Sequence, residues 1–150
     1  MKIVLSKCYG GFGLSHEAKM KIFEKSGIEV FPYILSVNWE GELYHYSKYS
    51  PEKVEGPLLA DVVYFQKEPP FEEFDTEFSE EPSYDEVYFD LRELDRTDKD
   101  LISTVEELGK RANTRFSNLK IVEIPDGASY EISEYDGYET AHYGFQIGTA

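Results

Sequence analysis

Gly10, Gly11 and Gly13 put three glycines in four positions between the apolar run Ile3-Val4-Leu5 and an amphipathic segment that begins near His16. The order this predicts is strand, tight turn, helix, because glycine reaches positive φ freely and lets backbone approach another group closely. Ser15 is a good N-cap, and Ala18, Met20, Ile22 and Phe23 give a mixed helical stripe. Gly27 falls where a C′ glycine ends a helix, so a helix is expected over 16–26. A helix N-terminus carries unpaired N–H groups and partial positive charge, which gives Lys7 to Ser15 the chemistry of an anion cradle. In that reading the N–H groups of Gly10, Gly11 and Gly13, with Ser15, hold a phosphate or carboxylate. Lys7 adds charge, and Tyr9 or Phe12 stacks on a base. The plainer reading is a tight turn anchored by Phe12 and Leu14. The spacing is neither G-x-G-x-x-G nor a P-loop.

Downstream, Ile28 to Phe31 is expected as a strand running into Pro32, and Tyr33 to Val37 continues extended. Glu40-Gly41-Glu42 reads as a turn returning through Leu43 to Tyr46 as a hairpin arm, and 47–57 as a loop. Leu58 to Phe65 is β-rich, with helix the alternative for its first half. Thr97 is expected to cap a helix carrying Leu101, Ile102, Val105, Leu108 and Ala112 at helical spacing. A strand over 119–124 should end at Pro125-Asp126-Gly127. Ser129 to Tyr135 alternates and turns at Asp136-Gly137, with Tyr130, Tyr135, Tyr138 and Tyr143 expected to pave one sheet face. The order β-α-β-β-β, then α-β-β-β, predicts an α+β fold. One domain over 1–150 is expected, with two principal helices packed on a mainly antiparallel or mixed sheet.

Charge narrows the range of partners. Thirty acids against fifteen Lys and Arg give a net −15 over 150 residues. Direct nucleic-acid binding needs clustered cations, so a basic partner, or a site that ordinarily holds nucleic acid, fits better. Between Glu68 and Asp95 twelve acids face one base, Arg92, yet six aromatics recur there: Phe71, Phe74, Phe78, Tyr84, Tyr88 and Phe89. A purely solvated linker would not need six aromatics. The stretch at about 66–96 therefore reads as an ordered acidic insertion, its rings buried and its acids wet. The sharper reading is a display of carboxylates that mimics a phosphate backbone.

Other constellations are weaker. Cys8 beside Lys7, near a helix N-terminus, could be an activated thiolate, and with His16 it defines a small-enzyme alternative. A lone cysteine after a strand is more often a small buried hydrophobe, so no catalytic residue is assigned. His16, expected at the surface, His45 and His142 lack metal-ligand spacing, and no metal or cofactor is expected. Arg92 and Arg96 sit among Asp90, Asp95 and Asp98, where a local salt-bridge network is the simplest arrangement. With Arg111 and its neighbours Lys110 and Arg115 they could instead form an anion-binding patch. With no signal peptide and no long apolar run, a cytoplasmic, membrane-free protein is expected. Oligomeric state stays open, a homodimer included.

Both ends carry long motifs. Lys2-Ile3-Val4, then Cys8-Tyr9-Gly10-Gly11-Phe12 and Leu14-Ser15, stand at the front. Val105 to Gly109, Ala112-Asn113, Leu119 to Asp126 and Glu134 to Glu139 stand at the back. Together they resemble a family of small phage- and prophage-encoded proteins, over roughly the first 25 and last 55 residues. Residues 28–86 look specific to this chain. The resemblance implies a phage accessory protein in a bacterial host's cytoplasm and carries no activity with it. The family pattern leads to expect a basic, Trp-containing tail after Glu139, where this chain has Thr140-Ala141-His142-Tyr143-Gly144-Phe145. The function expected is binding that counters a host system by sequestering a small anionic or nucleotide-like ligand at the glycine loop. An acidic inhibitor of a host nucleic-acid-binding protein is the alternative.

Overall fold

The computed structural model describes residues 1–53, 61–88 and 94–144. In chain order its regular elements are β1 (Lys2–Ser6), α1 (His16–Lys25), β2 (Phe31–Asn38), β3 (Leu43–Lys48), β4 (Asp61–Phe65), β5 (Glu73–Glu77), β6 (Glu86–Val87), α2 (Lys99–Leu108), β7 (Leu119–Glu123), β8 (Ser129–Tyr135) and β9 (Tyr138–Gly144). The fold is α+β, and every strand pairing among the described residues is antiparallel. Contacts group the chain into two compact units, Gly27–Phe89 and the flanking segments to either side of it.

The flanking unit holds both helices. β1 is buried from Ile3 to Ser6 and pairs with β7 along its whole length, Lys2 opposite Glu123 and Ser6 opposite Leu119. Ile3 and Leu5 pack with Ile124 against Tyr130, Ile132 and Ala141 of the β8–β9 hairpin. Alternation turns Val4 the other way, and α2 packs against β1 and β7. α1 and α2 meet each other, with Lys21 and Lys25 of α1 reaching Glu107 of α2.

The middle unit is a five-stranded sheet in the order β5-β3-β2-β4-β6. Period-two alternation sets its aromatic face. Tyr33 and Leu35, Tyr44 and Tyr46, Val63 and Phe65, and Phe74 all lie on one side, where Tyr33, Tyr46 and Phe65 form the core and Tyr84 closes over it. Tyr46 stacks on Phe74 at 4.7 Å, and Tyr84 meets Phe65 edge-on at 5.8 Å.

Four expectations need correction. β2 begins at Phe31, and Pro32 lies inside it. The site suits proline because pairing with β3 starts only at Tyr33. The cap of α2 is Asp98, which accepts from the Leu101 N–H, while Thr97 donates both its N–H and its hydroxyl to Asp95. The hairpin tyrosines divide between two faces, because Tyr130 pairs with Tyr143 but Tyr135 with Tyr138, an odd number of residues along. His16 is partly buried, and burial holds its imidazole below the ordinary value. The expected strand start at Leu58 to Ala60 lies outside the described residues, as do Phe89, Asp90 and Arg92.

Candidate functional site

The glycine loop runs from the end of β1 to the start of α1, and backbone from two directions closes on it. A Cβ on Gly10 would stand 2.0 Å from the Phe116 carbonyl oxygen. Gly137, at the hairpin tip with φ +92°, leaves so little room that a Cβ there would lie 2.3 Å from the Gly11 nitrogen. Gly13 lies against Thr114, and its carbonyl accepts from the Ser117 hydroxyl at 2.9 Å. Ser15 caps α1 by accepting from the Ala18 N–H at 3.1 Å, and donates its hydroxyl to the Arg111 carbonyl at 2.7 Å. The glycines thus serve close packing of loop on hairpin tip and on 113–118.

The charges expected to line a cradle are already engaged. Arg96 makes a two-pronged contact with the Glu139 carboxylate, at 2.7 and 2.9 Å, and lies 3.6 Å over the Phe12 ring. Glu139 also accepts the Ser6 N–H at 2.8 Å, and its backbone carbonyl accepts Lys7 Nζ at 2.6 Å. On its side away from β7, then, β1 finds a partner for Val4 N–H in the Arg96 carbonyl and for Ser6 N–H in a carboxylate. Arg111 pairs with Glu17 on α1, and Arg115 lies over the Phe116 ring. Arg96 therefore pairs with a residue 43 positions away, no described ion pair joins it to Asp95 or Asp98, and Arg96 and Arg111 address different carboxylates. Around the loop, Tyr9 is 68% exposed and leans on Tyr138 at 5.6 Å, while Lys7 sits 5.0 Å over that ring. Cys8 is partly exposed, and its carbonyl accepts the Gly11 N–H. His142 hydrogen-bonds Ser133 on the hairpin surface, and His45 pairs with Asp75 at 2.6 Å in the other unit.

Glu139 escaped sequence reasoning, although a signal existed. It shares the inward face of β9 with Ala141, a position where alternation calls for an apolar side chain.

The described residues of the acidic stretch supply β5 and β6. Of the rings expected to be buried, Phe74 and Tyr84 are partly buried against the core, whereas Phe71 and Tyr88 are exposed. Over the aromatic face of the sheet, between Tyr44 and Tyr46 on β3 and the chain from Glu80 to Tyr88, lies a groove of about 580 Å³. Leu35, Val63 and the two tyrosines form its floor, Phe78 and Tyr88 its walls, and Asp61, Glu80, Glu81, Asp85 and Glu86 its acids. Among its described lining residues none is Lys, Arg or His. Asp85 meets Lys67 at the rim, 3.2 Å away; among the described ion pairs none involves Asp61, Glu80, Glu81 or Glu86. A hydrogen bond to Glu86 and that carboxylate's charge push the Tyr88 phenol up to about 12. Burial first, then the Glu86 and Glu81 charges, raise the Tyr46 phenol. Both phenols stay neutral at ordinary pH. A second, smaller recess of about 310 Å³ lies where Tyr33 donates to the Phe71 carbonyl, beside Lys48, Glu68 and Glu72.

Among the described residues no helix is long and apolar enough to cross a membrane, and no three His, Cys, Asp or Glu side chains gather as a metal site. Comparison with models of known protein families, with curated proteins and with solved structures finds no match.

Proposed function

We propose that the chain is a phage accessory protein acting by binding in a bacterial cytoplasm, and that its target is the basic surface of a host protein that ordinarily holds nucleic acid. The observation that carries this reading is the acid-rimmed aromatic groove, which forms part of the ordered five-stranded sheet. Preorganised carboxylates cost little ordering entropy on binding, and a −15 chain steers toward a basic partner from a distance. Exposed Glu73 and Glu77 add charge along the β5 edge, about 7 Å from Asp75 on either side at strand spacing. Sequestration of a small anion at Lys7 to Ser15 has less support, because Lys7, Arg96 and Arg111 already hold protein oxygens.

The test immobilises the full chain, and a variant with Glu73, Glu77, Glu80, Glu81 and Glu86 changed to Gln, in bacterial lysate. A nucleic-acid-binding protein should be retained by the first and lost from the second. Once purified, it should release labelled duplex DNA when the chain is added. A nucleotide that raises the melting temperature while no retained protein releases DNA would instead favour the glycine loop.

A further inference from the structure

We infer that the groove over Tyr44 and Tyr46 is a docking slot for an extended, arginine-bearing segment of the partner protein, its guanidinium lying on a tyrosine ring and forking to the Glu81 and Glu86 carboxylates. The inference rests on the binding reading above and adds to it the place of contact and the chemistry of what enters.

The lining chooses the occupant. A cavity of about 580 Å³ has the size of a ligand pocket and exceeds what a bare cation fills. Its acids are spread around a ring-lined floor rather than gathered, and among the described residues they form no metal cluster. A compact, strongly hydrated ammonium would gain from the charge but little from the flat rings. A guanidinium gains from both: it is weakly hydrated, stacks on aromatic faces, and offers parallel N–H groups that match a carboxylate two by two. Tyr88, 79% exposed at the groove wall, is a ring left for such a partner to cover. Groove size and the acids among its described lining residues favour a peptide segment, whose neighbouring residues fill the length beyond one side chain.

The experiment titrates the isotope-labelled full chain with three capped five-residue peptides that carry arginine, lysine or neutral citrulline at positions two and four. Spermidine serves as a fourth probe. Amide shifts should cluster at Tyr44, Tyr46, Glu81 and Tyr88. The arginine peptide should bind roughly tenfold tighter than the lysine one, and the citrulline peptide not measurably. Tyr88→Ala, and Glu81→Gln with Glu86→Gln, should each weaken the arginine peptide while the rest of the spectrum stays in place. Equal affinity for lysine or spermidine, or shifts centred elsewhere, would overturn the slot. A host protein that still releases DNA when challenged with Tyr88→Ala leaves the binding function standing and removes only the slot. Peptide binding without any DNA release does the reverse.

Discussion

At the scale of single residues, Glu139 and Arg96 decide more than the glycines do. Their side chains are 7% and 14% exposed, and the carboxylate takes donors from Arg96 and from the Ser6 backbone. Leaving Arg96 buried without its partner should cost about 3 kcal/mol, so Glu139→Ala is expected to shift the denaturant midpoint strongly. Arg96→Met combined with Glu139→Leu should recover much of the loss, because two apolar side chains leave no buried charge. The glycine-rich spacing announced a close approach, but nothing in it named Gly137 as the other half. Gly137→Ala combines φ +92° with a Cβ 2.3 Å from backbone and should cost at least about 2 kcal/mol. Gly127→Ala, with φ +76° and open space around it, should cost only about 1 kcal/mol. His16 gives a pH signature. Burial, then Lys19, lower its pKa, so the unfolded chain binds the proton more tightly than the folded one. Its stabilising share is complete above the unfolded value of about 6.5 and fades as pH falls through the lower folded value. That slope should vanish in His16→Gln when denaturation is compared between neutral and mildly acidic buffer.

At the scale of elements, period and turn chemistry were legible because each is local. Asp136 and Gly137 both take positive φ, as a two-residue hairpin turn requires, and β8 and β9 follow from it. The start of α2 was misread by one residue, since Thr97 and Asp98 are both capable caps and only the bonds that Thr97 donates to Asp95 decide between them. Asp98→Ala should therefore lower stability by about 1 kcal/mol, and Thr97→Ala by less, in thermal denaturation followed by circular dichroism. Which strands sit side by side in the order β5-β3-β2-β4-β6 was not legible, because hydrophobic alternation fixes a strand's faces and says nothing of its neighbours. The groove followed from that order and stayed hidden with it.

At the scale of the whole molecule, the charge of −15 acts on folding and on binding in opposite senses. Like charges repel within the native state, so added salt should raise the melting temperature. The same salt should weaken association with a basic partner, and isothermal titration between roughly 50 and 200 mM salt reads the second effect directly. Excess acid was plain from composition. That part of it rims an aromatic groove depends on β3, β4 and the chain after β5 meeting in space, and no local pattern encodes that meeting.

Ser6 waits for Glu139, 133 positions later, and β1 waits for β7. Strand β1 is thus made well before the partners that bury it. Residues 27–89 form a contiguous unit whose strands all lie within one short stretch of chain, and they can fold before β7 to β9 are made. Synthesis therefore completes the acidic sheet before β7 and Glu139, the partners of β1, have been made.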